Sequence, residues 1–488
     1  MKKILDASQM KKIDEYSIET IKIPSVVLME EAARSVVKCV KSQVEKDARI
    51  VAVCGTGNNG ADGIAAARIL HEEGYQTEIY LIGNKEHATK EWKLQLEIAK
   101  NLQVPFTTKL EGSIVIIDAI FGIGLSREVV GDYAKLIEQI NSLQAFVVSV
   151  DIASGVHAST GKIMGVAIRA DYTVTFGYSK IGMNIYPGKE YSGVVFVEDI
   201  GFPAVSLEQV GATPQCIEDS DLSILSSLRP HNSHKGTFGK VLVIAGSENM
   251  AGAAVFSAKS AYRMGSGLVK VYTSKENRII IQNLVPEAIL STYKSDVTKK
   301  AILEELAWAS VVVLGPGLGR DKTAKKITEI VVKNCKVPLI IDADALRNLA
   351  EIENYKKLLK PHMILTPHMG ELAALTNLSV SEVIEQKLEL VKSFPCICIA
   401  KDASSVIGNE KGELYINTSG CSALATAGSG DVLTGIIVGV LSYSVEPTLA
   451  AAMGVFIHGR VGERAGKELG EASVIATDLI NFIGEIIK

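Results

Sequence analysis

Short apolar runs, each followed by a glycine-rich or acidic loop and then by a helical pattern, constrain the fold of this chain more than any other feature. Residues 50–54, 114–117 and 146–150 are runs of this kind. Such runs are typical of parallel strands that are covered on both faces, and their alternation with helices predicts an α/β fold. The alternation resumes after residue 239, where further strands are expected at 240–247, 268–272, 311–314, 339–341, 363–365 and 397–400.

Length and composition narrow the class of protein. A chain of 488 residues is too long for one ordinary core, and the turn-rich stretch 203–220 predicts domains at 1–210 and 220–488. A net charge of -4 without a long basic run argues against nucleic acid and anionic membranes as partners. The N-terminus lacks the apolar core of a signal peptide, and no run is long enough to span a membrane. Seven scattered cysteines favour reduced thiols in the cytoplasm.

The stretch 425–431, Ala-Thr-Ala-Gly-Ser-Gly-Asp, leads directly into an apolar helical run. A glycine-rich loop at the start of a helix offers bare N–H groups and a partial positive charge, and therefore favours phosphate. Asp431 has two interpretations. It is either an acid that stabilises the first turn of the helix, or a general base beside a bound phosphate.

The first half has its polar loops after three neighbouring strands. Gly55, Gly57 and Gly60 have the G-x-G-x-x-G spacing of a dinucleotide site, but the next strand does not end in the acid that binds the ribose. We therefore expect a different ligand. Asp118 and Asp151 follow two further strands, so both are expected at the same edge of the sheet as the glycine loop. The alternative is that these acids only cap the turns that follow them.

These motifs resemble those of the YjeF N-terminal family. The segments that carry the resemblance are 57–63, 118–122 and 150–155. Proteins of that family are NAD(P)H-hydrate epimerases, and the resemblance implies a Rossmann-like three-layer domain that interconverts the R and S forms of the hydrate. It also implies a potassium ion bound by Asn59, Asp118 and Ser154, whose oxygen atoms suit such a cation better than zinc.

The same resemblance implies a pocket for the hydrated nucleotide. Asp151 is expected at the nicotinamide end, and as a hypothesis of our own it assists opening and reclosure at the hydrated carbon. The residues implied for this pocket are Asn58, Asn59, Gly60, Ala61, Asp62, Gly122, Ile123, Gly124, Leu125, Ser126, Arg127, Glu128 and Asp151.

The second half carries polar loops at 315–319, 342–346, 366–371 and 401–405, in addition to 425–431. Loops of this kind in this order resemble those of the ADP/ATP-dependent NAD(P)H-hydrate dehydratases, a branch of the ribokinase-like superfamily with a doubly wound α/β fold. The resemblance covers roughly 225–488. Together the two halves match the domain order of the bifunctional NAD(P)H-hydrate repair enzymes, which are both isomerases and lyases.

The dehydratase resemblance implies two sets of site residues. Asp431 is expected to be the catalytic base that removes the proton from the hydroxyl of the hydrate while a nucleotide, with Mg²⁺, phosphorylates it. The residues expected to contact the hydrate are Ala254, Gly317, His368 and Asp431. Those expected to bind ADP or ATP are Lys401, Asp402, Ala403, Ser404, Ser405, Cys421, Gly428, Ser429 and Gly430.

Several alternatives remain open at this point. His368 has a second interpretation as a loop histidine bonded to backbone, and Lys401 as a solvated lysine. The second half is also compatible with a kinase of a small alcohol, and the first half with a non-catalytic ligand-binding module. The expected small-molecule partners are NADH hydrate, NADPH hydrate and ADP or ATP. A homo-oligomer is expected, although the sequence does not give its stoichiometry.

Overall fold

The computed structural model describes residues 1–227 and 230–487. It divides into two compact units, one formed by Lys3–Thr213 and the other by Met1–Lys2 together with Pro214–Lys488. Each unit has its own sheet and its own buried core, as expected for a chain of this length.

The N-terminal unit is built around a six-stranded sheet in the order β3-β2-β4-β5-β6-β8. Every neighbouring pair in that sheet is parallel, as the continuous apolar runs predict. A short strand near the N-terminus, β1, pairs in parallel with β7. The strands are β1 Lys2–Leu5, β2 Ile50–Cys54, β3 Thr77–Leu81, β4 Val115–Ala119, β5 Phe146–Val150, β6 Tyr172–Phe176, β7 Ser179–Lys180 and β8 Val194–Glu198.

Helices cover both faces of this sheet, and a separate apolar cluster lies on each face. The helices are α1 Ala7–Glu15, α2 Ser25–Lys41, α3 Asn58–Glu72, α4 Lys90–Asn101, α5 Asp132–Ser142, α6 Gly188–Ser192 and α7 Ala204–Leu207, with a π-helical turn at Tyr16–Thr20. The sequence pattern places the start of α3 near residue 64, but the helix begins at Asn58. The polar residues of the glycine loop therefore lie in the first turns of the helix.

The C-terminal unit contains a larger mixed sheet. Its strands follow the order β12-β11-β10-β13-β14-β15-β16-β17-β18-β9. The strands from β12 to β16 pair in parallel, whereas β17 is antiparallel to both of its neighbours. The strands are β9 Gln215–Cys216, β10 Lys240–Ile244, β11 Leu268–Ser274, β12 Ile289–Tyr293, β13 Val311–Leu314, β14 Leu339–Ile341, β15 Met363–Leu365, β16 Ile397–Ala400, β17 Val406–Gly408 and β18 Leu414–Ile416.

The helices of the C-terminal unit again form a layer on each side, over two apolar clusters. They are α8 Ser223–Ser227, α9 Ala251–Arg263, α10 Arg278–Leu284, α11 Lys299–Trp308, α12 Lys322–Asn334, α13 Asp344–Ala350, α14 Met369–Thr376, α15 Val380–Leu390, α16 Ser429–Leu441, α17 Pro447–Leu469 and α18 Ala476–Ile486. This architecture is the doubly wound α/β fold that the sequence pattern predicts.

The helix that follows the glycine-rich loop, α16, is buried along nearly its whole length. It packs against α9, and a Cβ atom on Gly435 would lie 2.4 Å from the carbonyl oxygen of Ser257. The two backbones therefore approach more closely than a side chain allows, which fixes the position of the loop relative to α9. Within the described residues, no helix is both long and apolar enough to cross a membrane.

Candidate functional sites

The polar loops of the N-terminal unit surround a cavity of about 950 Å³. Both predicted binding loops contribute to its wall. The predicted residues that line it are Asn58, Asn59, Asp62, Gly122, Ile123, Gly124, Leu125, Ser126, Arg127, Glu128 and Asp151. Gly60 and Ala61 lie in the same turns but face away from the cavity, and a Cβ on Gly60 would lie 2.0 Å from the carbonyl oxygen of Gly55. These two residues allow close packing of the loop.

Asp118 lies at the end of β4 and is completely buried. One carboxylate oxygen accepts a hydrogen bond from the Ser154 hydroxyl at 2.6 Å, and the other accepts from the Ser149 hydroxyl at 2.7 Å and the Ser154 amide at 2.9 Å. Burial raises the pKa of Asp118, while the hydrogen bonds from Ser154 and Ser149 oppose that rise. A buried carboxylate in this state is stabilised by any cation that binds beside it.

Asn59 lies in the first turn of α3, and a Cβ on Gly122 would lie 3.2 Å from its side chain. Its side-chain Nδ2 is buried and has no hydrogen-bond partner among the described residues. An amide whose orientation is not fixed by a partner is free to present its oxygen instead. The donor set of carboxylate, hydroxyl and amide therefore fits a hard cation that takes oxygen ligands.

Asp151 follows β5 and adopts a left-handed backbone conformation, with φ of +67°. One carboxylate oxygen lies 2.6 Å from Nζ of Lys180, whose side chain is only 1% exposed. Asp62 lines the same cavity, and its pKa is raised well above the ordinary value by burial, with further contributions from the charges of Asp151 and Asp14. The cavity therefore contains an acid whose charged form is disfavoured by burial and a second acid paired with an ammonium group.

In the C-terminal unit, Gly428 forms the N-cap of α16 with a φ of +85°, a conformation that suits glycine. Ser429, Gly430 and Asp431 are the first three residues of the helix. The backbone N–H groups of a first turn have no partner within the helix, so this turn is suited to bind an anion. The predicted loop-to-helix arrangement at residues 425–431 is present.

A charged network lies beside this turn. The Lys401 ammonium is 2.8 Å from Asp342, and Asp342 also accepts hydrogen bonds from Thr366 at 2.7 Å and Thr434 at 2.8 Å. Although burial alone would raise the pKa of Asp342, the charge of Lys401 and these hydrogen bonds bring it below its ordinary value. Lys401 lies next to the helix start, because its Nζ would be 3.6 Å from a Cβ on Gly430. Lys401 is therefore an anchored cation rather than a solvated lysine.

The carboxylate of Asp431 has no hydrogen-bond partner among the described residues. Burial raises its pKa to about 7; the negative charge of Asp342 adds to that rise and Lys401 opposes it. A capping acid would be stabilised in its charged form, so the geometry does not favour the capping interpretation. A carboxyl with a pKa near neutrality is suited to act as a general base.

Two of the residues predicted to contact the hydrate are small, and both lie at or beside α9, the helix that packs against α16. Ala254 is fully buried in α9, and Gly317 adopts a φ of +56°. A Cβ on Gly317 would lie 3.0 Å from the Cβ of Ala253 and 3.1 Å from the carbonyl oxygen of Met250. The loop after β13 is therefore packed directly against the start of α9.

His368 is the N-cap of α14. Its Nδ1 accepts hydrogen bonds from the amides of Gly370 at 3.0 Å and Glu371 at 3.3 Å. Burial lowers its pKa, and the charges of Lys401 and Arg347 lower it further, so the charged form of the ring is disfavoured. The ring remains half exposed, with Nε2 at 3.4 Å from Glu371. The geometry supports the interpretation of His368 as a histidine bonded to backbone, and it leaves the exposed edge of the ring available to a ligand.

Hydrogen bonds within the protein hold the segment 401–405 in place. Asp402 accepts a hydrogen bond from the buried Lys387 at 2.8 Å, and its other oxygen accepts from the Ala403 amide. The Ser405 hydroxyl bonds to the backbone of Asp402. Ser404 is fully buried and its hydroxyl has no partner among the described residues. Asp402 and Ser405 thus shape the loop, and Ser404 retains an unused polar group.

A side chain from α17 also contacts the residue that follows the glycine-rich loop's Gly428. The Ser429 hydroxyl lies 3.1 Å from Nε2 of His458, a residue of α17. Burial lowers the pKa of His458 to about 4, so this histidine is neutral. Cys421 lies seven residues before Gly428 and is partly buried against α17, with its sulfur 3.5 Å from a Cβ on Gly466.

Two residues of these sites, Lys180 and His458, were not identified by the sequence pattern, and Asp342 was placed in the polar loop 342–346 without a role of its own. Asp342 follows a strand, as Asp118 and Asp151 do, so the same argument from strand ends applies to it. Lys180 and His458 have no local signal, because a buried lysine or histidine has the same sequence context as an exposed one.

Comparison with known families agrees with the division of the chain into two units. The family model described as NAD(P)H-hydrate dehydratase matches residues 241–485, and the model described as YjeF-related protein N-terminus matches residues 25–182. The structure of the ADP/ATP-dependent NAD(P)H-hydrate dehydratase from Bacillus subtilis, co-crystallised with ATP and Mg²⁺, is 31% identical with a TM-score of 0.50, and the match covers 56% of this chain and 97% of that one.

Full-length relatives have the same two parts. The bifunctional NAD(P)H-hydrate repair enzyme of Thermofilum pendens is 34% identical over 100% of this chain and 96% of its own length. The enzyme of the same name from Coxiella burnetii is 33% identical over 98% of both chains. This chain therefore belongs to the family of bifunctional NAD(P)H-hydrate repair enzymes.

Proposed function

We propose that this chain repairs hydrated nicotinamide nucleotides, with an epimerase site in the N-terminal unit and an ADP- or ATP-dependent dehydratase site in the C-terminal unit. The observation that carries the proposal is Asp431, a carboxyl with a pKa raised to about 7 by burial at the anion-binding start of α16. A base at that position suits phosphorylation of a hydroxyl group. Mg²⁺ with the nucleotide would supply charge neutralisation of the phosphates.

Dehydration follows from the arrangement around α16. Asp431 removes the proton from the ring hydroxyl of the hydrate, and the hydroxyl oxygen attacks the terminal phosphorus of the nucleotide. The first turn of α16 and Lys401 stabilise the negative charge of the transferring phosphoryl group. The electron pair of the ring nitrogen then expels phosphate, and loss of a proton from the neighbouring carbon gives NAD(P)H. Phosphate is released in both cases. The other nucleotide product is AMP when ADP is the donor and ADP when ATP is the donor.

We assign the hydrate contacts to Ala254, Gly317 and His368, in addition to Asp431. The packing of Gly317 against α9 leaves no room for a side chain, so the loop after β13 approaches α9 closely at this point. The unbonded Ser404 hydroxyl supports a nucleotide site beside Lys401. The remaining nucleotide contacts are assigned to Asp402, Ala403, Ser405, Cys421, Gly428, Ser429 and Gly430.

Epimerisation is assigned to the 950 Å³ cavity, with Asp151 as the base. Asp151 removes the proton of the ring hydroxyl, the carbon–nitrogen bond of the hydrated carbon breaks, and an aldehyde forms. The same proton passes to the ring nitrogen, which keeps the electron pair. Rotation and reclosure from the other face give the opposite isomer. All atoms are conserved, so no co-reactant is needed.

A pair of substitutions in the full chain tests the assignment of one activity to each unit. We expect Asp431→Asn to lower dehydration of the S isomer by about 10²–10⁴-fold, the typical contribution of a general base, while R-to-S conversion continues. Asp151→Asn should have the opposite pattern. Chromatographic separation of the two isomers and of NADH measures both rates in one reaction. A near-normal dehydration rate in Asp431→Asn would refute the assignment of the base.

We further propose that Asn59, Asp118 and Ser154 bind potassium. The raised pKa of the buried Asp118 and the unpaired Asn59 amide support a bound cation. The ion would supply positive charge to the epimerase site. Replacement of KCl by choline chloride should lower both the epimerase rate and the unfolding temperature, and Asp118→Asn should abolish both responses. Equal stability in the two salts would contradict the potassium site.

The seven cysteines are free, and this supports our proposal of a reducing, cytoplasmic location. The proposed partners are the two hydrates and the nucleotide, and we propose a homo-oligomeric assembly. Light scattering of the purified full chain measures the assembly state directly.

A further inference from the structure

Lys180 is a buried ammonium group beside the base that we assign to epimerisation, and the inference that follows rests on that proposed function. It is the second residue of β7, where it pairs with Leu5 of β1. Its side chain is 1% exposed, yet it reaches the wall of the cavity. Burial of an ammonium is costly even when it is paired, and an apolar residue of similar size often serves stability equally well. A lysine at this position therefore calls for a role beyond stability.

The three N–H groups of Lys180 are all used within the protein. Nζ donates to Asp151 Oδ1 at 2.6 Å, to Thr175 Oγ1 at 2.6 Å and to the carbonyl oxygen of Phe176 at 3.3 Å. An ammonium group has three donors and no acceptor. Lys180 thus has no N–H left for a ligand in the cavity, and any effect on the reaction passes through Asp151.

Asp151 needs such support. Its φ of +67° lies in a region that costs an aspartate about 1–3 kcal/mol, and its amide is held by the carbonyl of Val174 at 2.7 Å. Oδ1 is bonded to Lys180 and, at 3.4 Å, to Thr175. Oδ2 has no hydrogen bond from any described residue. One oxygen is therefore anchored and the other has no protein partner, in a residue that lines the cavity.

Other acids share the cavity with this carboxylate. Asp62 and Asp14 line the same cavity, and Glu91 also contributes to its wall. Without a nearby cation, the negative charges of these groups would repel the carboxylate of Asp151 and turn it away. Lys180 is the ammonium that the described structure places in contact with it.

We propose that Lys180 is a positioning residue of the epimerase site, which holds Asp151 as an oriented carboxylate with Oδ2 directed to the substrate hydroxyl. Lys180 itself does not contact the substrate. The pair works as a unit, so its two members should have strongly non-additive effects on the rate.

A double-mutant cycle in the full chain tests the proposal. The variants are Lys180→Met, Asp151→Asn and the double substitution, and the measured quantities are kcat and KM for R-to-S conversion. We expect Lys180→Met to lower kcat by about 10²-fold or more, with a change in KM of less than about threefold. The double variant should be no slower than Asp151→Asn, because Lys180 has no function once Asp151 is uncharged.

A matched control separates orientation from loss of stability. Arg49→Met removes another ion pair of the same unit, in which Arg49 Nε lies 2.8 Å from Glu78 outside the cavity wall. This variant should lose stability but keep its epimerase kcat. If Lys180→Met does not fold, Thr175→Val removes a second anchor of Lys180 with no change of charge, and kcat should fall by about tenfold, the rate equivalent of one hydrogen bond.

The outcomes are distinct. A kcat of Lys180→Met within about threefold of the parent value overturns the proposal, as does an unchanged kcat of Thr175→Val where Lys180→Met cannot be made. If Lys180→Met slows the Asp151→Asn variant by the same factor as the parent, Lys180 acts directly on the substrate and the positioning role is wrong. Absence of epimerisation in the parent chain instead refutes the proposed function.

Discussion

The protonation state of Asp431 links the structure to the rate of dehydration at the scale of a single residue. Burial and the charge of Asp342 raise its pKa to about 7, and only the ionised form is a base. We therefore expect kcat/KM for dehydration to rise with pH through about 7 and to level off above it, since the carboxyl is protonated at lower pH. Initial rates with the S isomer between pH 5 and 9 measure this profile.

Lys401→Met provides a second test of the pKa of Asp431. The charge of Lys401 opposes the rise in the pKa of Asp431, so its removal should shift the ascending limb to higher pH. A profile that is flat across pH 7 in the parent chain would show that Asp431 does not titrate as the structure indicates.

Some properties of single residues could be predicted from the sequence and others could not, for a physical reason. Asp431 was identified from the glycine-rich loop at the start of a helix, and Asp151 because loops after parallel strands converge at one edge of a sheet. Their pKa values and partners depend on burial and on residues far away in sequence, such as the Asp342–Lys401 pair, which is separated by 59 positions. Burial of Lys180 has no local pattern, so this residue could not be assigned before its contacts were known.

At the scale of secondary-structure elements, the contact between α9 and α16 positions the base. A Cβ on Gly435 would lie 2.4 Å from the Ser257 carbonyl oxygen and 2.5 Å from the Ser260 Cβ. Gly435→Ala should therefore force the helices apart and destabilise the unit by about 1–3 kcal/mol, the usual cost of overpacking. Urea unfolding of the full chain measures the change.

Gly484→Ala is the matched control for this substitution. Gly484 lies in α18 of the same unit, and a Cβ there would have no atom within 4 Å. Alanine should raise stability by about 0.5–1 kcal/mol through its better helix propensity. Equal effects of the two substitutions would contradict the close approach of α9 and α16.

Elements with a strong apolar pattern were predicted more completely than short ones. The continuous apolar runs of β2 and β13 are buried and have the predicted bounds, whereas β10 was predicted to run to residue 247 and ends at Ile244. The antiparallel strands β17 and β18 were not predicted, because no helix separates them and the alternation of strand with helix that identified the equally short β14 and β15 is absent there. The early start of α3 was missed because its first turn is polar and faces the cavity.

At the scale of the whole molecule, two activities in one chain have a chemical reason. Spontaneous hydration gives both isomers, whereas a site that orients one hydroxyl toward Asp431 acts on one of them. The N-terminal activity converts the remaining isomer into the substrate of the C-terminal activity. The chain as a whole then removes both forms of the damaged nucleotide.

The most direct measurement of this account uses a mixture of the R and S isomers of NADH hydrate with the purified full chain, K⁺ and Mg²⁺, and with ADP or ATP in parallel. Recovery of the reduced-nicotinamide absorbance is followed to completion. We predict full recovery that depends on the nucleotide, with one phosphate released for each NADH formed. Recovery that stops when one isomer is exhausted would contradict the epimerase assignment, and a product that retains phosphate would show a kinase instead.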